Sequence, residues 1–248
     1  MNIIYEPKGP ASEYAPLALN IYKGCTHGCR YCYAPGATRT ARADYIRAAN
    51  PKRNVIERVR KDARAMARSG DDREILISFV GDPYQPAEQA LVLTRQVVSI
   101  LIEYGLRFTV LTKGALSLVT RDFDLLAGYP KCRLGVSCVW GVEDQELADF
   151  WEPEAESIIN RYFLLQRARA RGIPTWVSLE PVIDPGSAMG VIRQFDRVVD
   201  KWMIGKINHN SYLETAVDWS AFRRRAEDLL VSLGADYYLK DSLRKEMR

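Results

Sequence analysis

Six times along this chain a short apolar run gives way to a stretch with helical spacing, and that alternation limits the fold more than any other feature. The strand-like runs fall at 17–22, 74–80, 108–112, 133–139, 175–179 and 201–207. Each is apolar and bounded by Gly, Pro or charged residues. Between them apolar residues recur three and four apart, as at Val55, Val59, Ala63 and Met66, or Leu91, Thr94, Val98 and Leu101. That is the spacing of one helix face. The first helix is expected to start at Asn50-Pro51, an N-cap followed by Pro at the first helical position, and to stop at Gly70. The second ends at Gly105. Further helices are expected at 117–127, 153–171 and 188–194, and from the cap Asp218 to Gly234. Residues 1–16 carry Pro7, Pro10 and Pro16 without periodicity and read as an irregular lead-in. A last run at 237–239 reads as an edge strand within a C-terminal tail, 235–248. No linker or repeat divides the chain, so 1–248 reads as one domain. Strand and helix in alternation imply a parallel sheet with helices outside it. Six such units curl into an open barrel or lie as a doubly wound sheet.

Composition narrows the class. At 248 residues, 47% apolar and 27% charged, the chain has the make-up of a globular protein with a large core. No apolar run is long enough to span a membrane. The first residues, Met1-Asn2-Ile3-Ile4-Tyr5-Glu6, lack the basic and apolar regions of a signal peptide. Five cysteines, three of them clustered, do not make a disulfide framework. Free thiols point to a reducing cytoplasm. The net charge of +4 is modest, but 39–68 holds ten Lys or Arg against Asp44, Glu57 and Asp62. That excess suits a polyanion such as nucleic acid, and equally a solvated helix face.

The clustered cysteines, Cys25, Cys29 and Cys32, lie in the run Gly24-Cys25-Thr26-His27-Gly28-Cys29-Arg30-Tyr31-Cys32-Tyr33. Thiolates select zinc, copper or iron–sulfur clusters. Three are one short of closing a tetrahedral zinc site or a cluster held by four cysteines. The next cysteine is Cys132. The simplest reading is a [4Fe–4S] cluster with one iron left open for a small chelating ligand. A zinc site or three buried thiols is the plain alternative.

Gly-Cys-x3-Cys-x-Tyr-Cys-Tyr resembles the fingerprint of the radical S-adenosylmethionine (SAM) enzymes, and within them the subgroup of spore photoproduct lyase and its DNA repair photolyase relatives. Gly81-Asp82-Pro83-Tyr84-Gln85-Pro86, Leu111-Thr112-Lys113, Leu179-Glu180-Pro181-Val182 and Ile204-Gly205-Lys206-Ile207-Asn208-His209 resemble that subgroup too. The resemblance implies a partial (β/α)6 TIM-type barrel and a [4Fe–4S] cluster whose open iron is chelated by SAM. It also implies reductive cleavage of SAM to a 5′-deoxyadenosyl radical, and an electron donor such as a flavodoxin or ferredoxin.

In βα barrels the site lies at the C-terminal ends of the strands. Those ends carry Gly81 and Asp82, Thr112 and Lys113, Ser137, Glu180, and Asn208-His209-Asn210. Lys113 suits the SAM carboxylate as a point charge, and Ser137 the same group by hydrogen bonding. Gly81 allows close backbone approach to the amine, and Asp82 accepts from it. Glu180 completes the expected cofactor contacts, with Tyr31 against the adenosine. Tyr31, Tyr33, Tyr84 and His209 are candidate catalytic side chains. His27 reads as loop filler. Strand alternation sets Ser137 inward and Cys138 outward, a buried structural thiol.

In the lyases a cysteine just before the strand-2 aspartate returns hydrogen to the substrate. Here that run is Ser78-Phe79-Val80-Gly81-Asp82, without a thiol. Three functions stand at this point: a radical SAM enzyme acting on nucleic acid or a nucleotide, one acting on a small molecule or peptide, and a non-enzymatic metal-binding scaffold.

Overall fold

In the computed structural model, which describes residues 2–208 and 210–246, ten strands form. They are β1 (Ile4–Tyr5), β2 (Leu17–Leu19), β3 (Tyr22–Lys23), β4 (Asn50–Pro51), β5 (Ile75–Ile77), β6 (Phe108–Thr112), β7 (Cys132–Ser137), β8 (Thr175–Val182), β9 (Lys201–Lys206) and β10 (Asp236–Leu239). Eight of them make one sheet in the order β1-β2-β5-β6-β7-β8-β9-β10. All neighbours are parallel except β1 with β2. Six parallel strands in chain order, each followed by helix, give the expected open (β/α)6 barrel. β10 extends it as a seventh parallel strand.

The helices are α1 (Ala34–Thr38), α2 (Arg42–Arg47), α3 (Val55–Ser69), α4 (Glu88–Leu91), α5 (Leu93–Glu103), α6 (Leu116–Thr120), α7 (Phe123–Leu126), α8 (Gln145–Trp151), α9 (Ile158–Ala170), α10 (Pro185–Phe195), α11 (Ser211–Ala216), α12 (Trp219–Ser232) and α13 (Asp241–Arg244). α3 packs on α5, α6 on α9, and α10 on α12 along the outside of the sheet.

Strand alternation sorts the core into two layers. Ile75, Ile77, Val177, Trp202 and Ile204 face the helices in the main core. Leu76, Trp176 and Met203 face the concave side, where Ala15, Tyr14, Phe79 and Leu111 join them. A Cβ on Gly135 would overlap the Trp176 indole, so glycine there lets the ring lie flat across β7. The indole N–H then donates to the Val110 carbonyl at 3.1 Å.

Several sequence expectations are corrected. The expected irregular lead-in, 1–16, is ordered over its described residues: it holds β1 and a 3-10 turn, Gly9–Glu13, before Tyr14 enters the concave core. Asn50-Pro51 does not cap a helix. It pairs antiparallel with Tyr22-Lys23, because the residue before proline favours extended backbone. α3 starts instead at Val55. The run 74–80 leaves the sheet after Ile77, where the Asn20 carboxamide oxygen captures the Phe79 and Val80 N–H groups at 3.0 and 2.8 Å. The expected helix at 153–171 begins only at Ile158, capped by Ser157. The residues freed before it carry Glu152, which accepts from Tyr31 of the cysteine loop, and Glu156, which accepts from Leu116 N at 2.8 Å. No described helix is long and apolar enough to cross a membrane.

Candidate functional site

The cysteine run leaves β3 and is fixed mainly by its own backbone. Cys25 N donates to Tyr45 O at 3.0 Å, Cys32 N to Cys29 O at 3.1 Å, and Arg30 N to Trp151 O at 2.8 Å. The Arg42 guanidinium clamps the turn by donating to the carbonyls of Gly28 and Cys29 at 2.9 and 2.8 Å. Thr26 N donates to the buried Gln85 side chain at 3.1 Å. That contact gives the Gly81–Gln85 motif its use. Gly81 has φ +84°, and a Cβ there would stand 2.8 Å from the Gly24 carbonyl. Only glycine lets the loop after β5 close on the cysteine loop in this way.

All three thiols are free, and all three line one cavity of about 400 Å³ at the C-terminal ends of the strands. Tyr31, Tyr33, Gly81, Asp82, Lys113, Ser137 and Glu180, each singled out from sequence, line the same cavity. Two candidates do not join them. Tyr84 is fully buried in the main core and donates to Asp122 at 3.0 Å, because the Pro83 turn sends its ring behind the sheet. His209 lies outside the described residues. Asn210 is the cap of α11.

Two roles are also revised. Both Asp82 oxygens are engaged within the chain: one accepts from Tyr84 N at 2.8 Å and Thr112 Oγ1 at 2.6 Å, the other from Lys113 N at 2.6 Å. Asp82 therefore joins the loops after β5 and β6 and positions Lys113 from the cavity wall. Glu180 is ion-paired with Lys240 at 2.9 Å and accepts from Tyr14, so its carboxylate is neutralised without a ligand.

Sequence reasoning missed a buried charge network against the cysteines. Glu152 and Arg161 are 2% and 1% exposed and form an ion pair at 2.5 Å. Tyr31 donates its hydroxyl to the other Glu152 oxygen. Arg161 also donates to the carbonyls of Ser137 and Glu156, at 3.0 and 2.8 Å. Burial alone would raise the Glu152 pKa, but Arg161 and then Lys113 outweigh it and hold the carboxyl below the usual glutamate range. Burial likewise opposes the Lys113 ammonium, and Cys29 with Glu152 more than restores it. Lys113 Nζ stands 5.6 Å from the centre of the Tyr31 ring. The available signal was Arg161 itself, a charge set three and four residues from Ile158 and Leu165 on the apolar face of α9. His27 is more than filler: it is 2% exposed, lines the cavity, and sets Nδ1 3.6 Å from Asp82.

Burial pushes the thiol pKa of Cys25 to about 11 and of Cys29 to about 12. Cys132 and Cys138 are buried outside the cavity, and Cys138 donates to Trp140 O at 3.4 Å. Cys138→Ala is expected to leave iron content and SAM affinity unchanged and to lower stability by about 1 kcal/mol. Thermal melting beside an iron assay measures both, and loss of iron would make Cys138 a ligand.

A βα barrel with three free thiols and a lysine at its strand ends defines a class of cofactor-dependent barrel proteins. The radical SAM superfamily model matches residues 19–194, and the chain belongs to that superfamily. It is 30% identical over 177 residues to an uncharacterised protein of Mycobacterium tuberculosis, covering 66% of this chain and 49% of that protein. It is 26% identical over 179 residues to an uncharacterised protein of Methanocaldococcus jannaschii, covering 71% of this chain and 62% of that one. The chain thus spans about half the length of the mycobacterial relative. Among solved structures it resembles a variant of spore photoproduct lyase with dinucleoside spore photoproduct, at TM-score 0.71 and 12% identity, covering 96% of this chain and 79% of that one. It also resembles Streptococcus suis SuiB bound to S-adenosylmethionine, at TM-score 0.69 and 11% identity, covering 93% and 52%. These two likenesses establish a common fold.

Proposed function

We propose that this chain is a radical SAM enzyme that removes hydrogen from a nucleic acid or nucleotide. The observation that carries the reading is convergence. The loop that carries Cys25, Cys29, Cys32 and Tyr31 lines one cavity with Lys113, just past β6, and Ser137, at the end of β7.

The residues fit a [4Fe–4S] cluster. Cys25, Cys29 and Cys32 would hold it. Among the described residues no three His, Cys, Asp or Glu side chains converge on a single metal-ion position. A cluster does not require that, since its thiolates bind different irons. With cluster and SAM bound, the site would supply one-electron reductive cleavage of SAM. The protein's own part is binding and exclusion. Lys113 offers its ammonium to the SAM carboxylate, and Ser137 adds a hydroxyl. Asp82 and the Glu152–Arg161 pair keep Lys113 and Tyr31 in place. Phe79, Leu111 and Tyr14 wall the cavity with apolar surface that keeps water from a reactive intermediate.

The nucleic-acid part rests on charge and on the company the fold keeps. Lys8 on the cavity lining and Arg39, Arg42 and Arg47 just after the cysteine loop are exposed cations. One structural neighbour holds a dinucleoside. A flavodoxin or ferredoxin is the proposed electron donor. A peptide substrate is the second reading, favoured by the likeness at TM-score 0.63 to SuiB bound to its precursor peptide. Anaerobic reconstitution, reduction with SAM, and assay of 5′-deoxyadenosine test the enzyme. Zinc bound in place of iron would support a scaffold instead. Binding to single-stranded DNA or RNA at low salt tests the substrate class, and absence of binding would favour the peptide.

Lys113→Ala is expected to weaken SAM binding about 10–100-fold while iron content stays the same, the loss of one charge-assisted contact. Anaerobic calorimetry on the reconstituted protein measures it. Unchanged affinity would remove Lys113 from the SAM site.

A further inference from the structure

The cavity contains a second polar group that the SAM contacts do not use. Lys240, 3% exposed, places Nζ 2.9 and 3.1 Å from the two Glu180 oxygens and 4.5 Å above the Tyr14 ring. Tyr14 donates to Glu180 and shares a 2.8 Å hydrogen bond with Ser178, itself 1% exposed. All four residues line the cavity.

Tyr14 and Lys240 lie outside residues 19–194, the part matched by the superfamily model. The two chain ends bring them in. The turn Gly9–Glu13 delivers Tyr14, and β10 delivers Lys240, whose N–H donates to Ile204 O at 2.8 Å. The ends are fastened together: Glu13 accepts from Asp241 N at 2.7 Å and from the Tyr238 hydroxyl at 3.2 Å. A buried ion pair adds little stability over an apolar replacement. Its value on a cavity wall is what it presents to a ligand.

Hydrogen-bond counting specifies that ligand. The Lys240 ammonium has three N–H groups, of which two face Glu180, so one is left to donate. The Glu180 oxygen that Tyr14 does not use keeps a lone pair. A donor beside an acceptor is the complement of a carbonyl beside an N–H. Tyr14, Phe79 and Tyr33 line the same cavity and offer flat faces for stacking.

We propose that Tyr14, Ser178, Glu180 and Lys240 form the substrate subsite, and that it takes the edge of a planar heterocycle that presents an N–H beside an acceptor, as a nucleobase does. This rests on the nucleic-acid reading above and narrows it. A thymine methylated at N3 lacks that N–H and leaves Glu180 without a partner.

The test is equilibrium binding of dinucleoside monophosphates to the reconstituted, SAM-loaded protein. Thymidylyl-thymidine is expected to bind at least about tenfold more tightly than its own N3-methylated form. Lys240→Met should weaken thymidylyl-thymidine about tenfold while SAM affinity changes less than twofold. Equal binding of the methylated and unmethylated probes overturns the subsite, and that comparison needs no variant. A fall in SAM affinity in Lys240→Met, with thymidylyl-thymidine affinity kept, assigns these residues to SAM and overturns it as well. If no dinucleotide binds while SAM cleavage proceeds, the subsite and the nucleic-acid reading both fall. The superfamily chemistry, read separately from 5′-deoxyadenosine, then still stands.

Discussion

Replacing Cys25, Cys29 or Cys32 singly by alanine will abolish both the cluster and 5′-deoxyadenosine formation. Two thiolates cannot hold three corners of a [4Fe–4S] cluster, and no other cysteine is in reach. Cys132 and Cys138 are buried outside the cavity, at 1% and 0% exposure. Nor does the loop adapt easily. Its backbone is bonded to Tyr45 and Trp151 and clamped by Arg42 at the Gly28 and Cys29 carbonyls. Iron and sulfide content after anaerobic reconstitution is the direct measurement. The fold should survive, because the main core lies between sheet and helices and takes only Tyr31 from residues 24–33 of this loop. Circular dichroism of the apoprotein checks that point. A variant that kept a full cluster and its turnover would defeat the ligand assignment and the function built on it.

The barrel was legible because buried parallel strands are marked by continuous apolar runs and their helices by spacing. Phe108–Thr112 and the Asp218 cap fall where the sequence puts them. Failures occurred where a side chain overrode local propensity. Asn20 ends β5 early from fifty-nine residues away, as its bond to Phe79 N shows. Tyr84 was drawn into the candidate site by its motif, although the motif serves to place Gln85 under the cysteine loop. The cluster ligands were legible because their chemistry is local and their spacing short. Glu152 and Arg161 were hidden because their use depends on a loop and a helix meeting across the barrel mouth. Tyr14 and Lys240 were hidden for the same reason, since no local pattern tells that two chain ends will converge on one cavity.

Arg161→Met will destabilise the protein by about 3–5 kcal/mol at neutral pH, because it leaves the Glu152 carboxylate buried without its main partner. That corresponds to a fall in melting temperature of roughly 10 °C for a chain of this size. The effect depends on pH with a definite sign. In the native protein the Glu152 pKa is depressed, so the pair contributes fully above the unfolded glutamate value of about 4.3. That contribution is lost as pH falls through the folded value. Without Arg161, burial dominates and raises the Glu152 pKa, so the variant is penalised most at neutral pH and the deficit shrinks as the medium is acidified. Adding Glu152→Gln should restore most of the lost stability by removing the stranded charge. Tyr31 would keep a hydrogen-bond acceptor in the glutamine carbonyl. Denaturant melts of the two single variants and the double variant across pH measure the coupling. Additive losses with no pH dependence would show that the pair only fills space beside the cysteines.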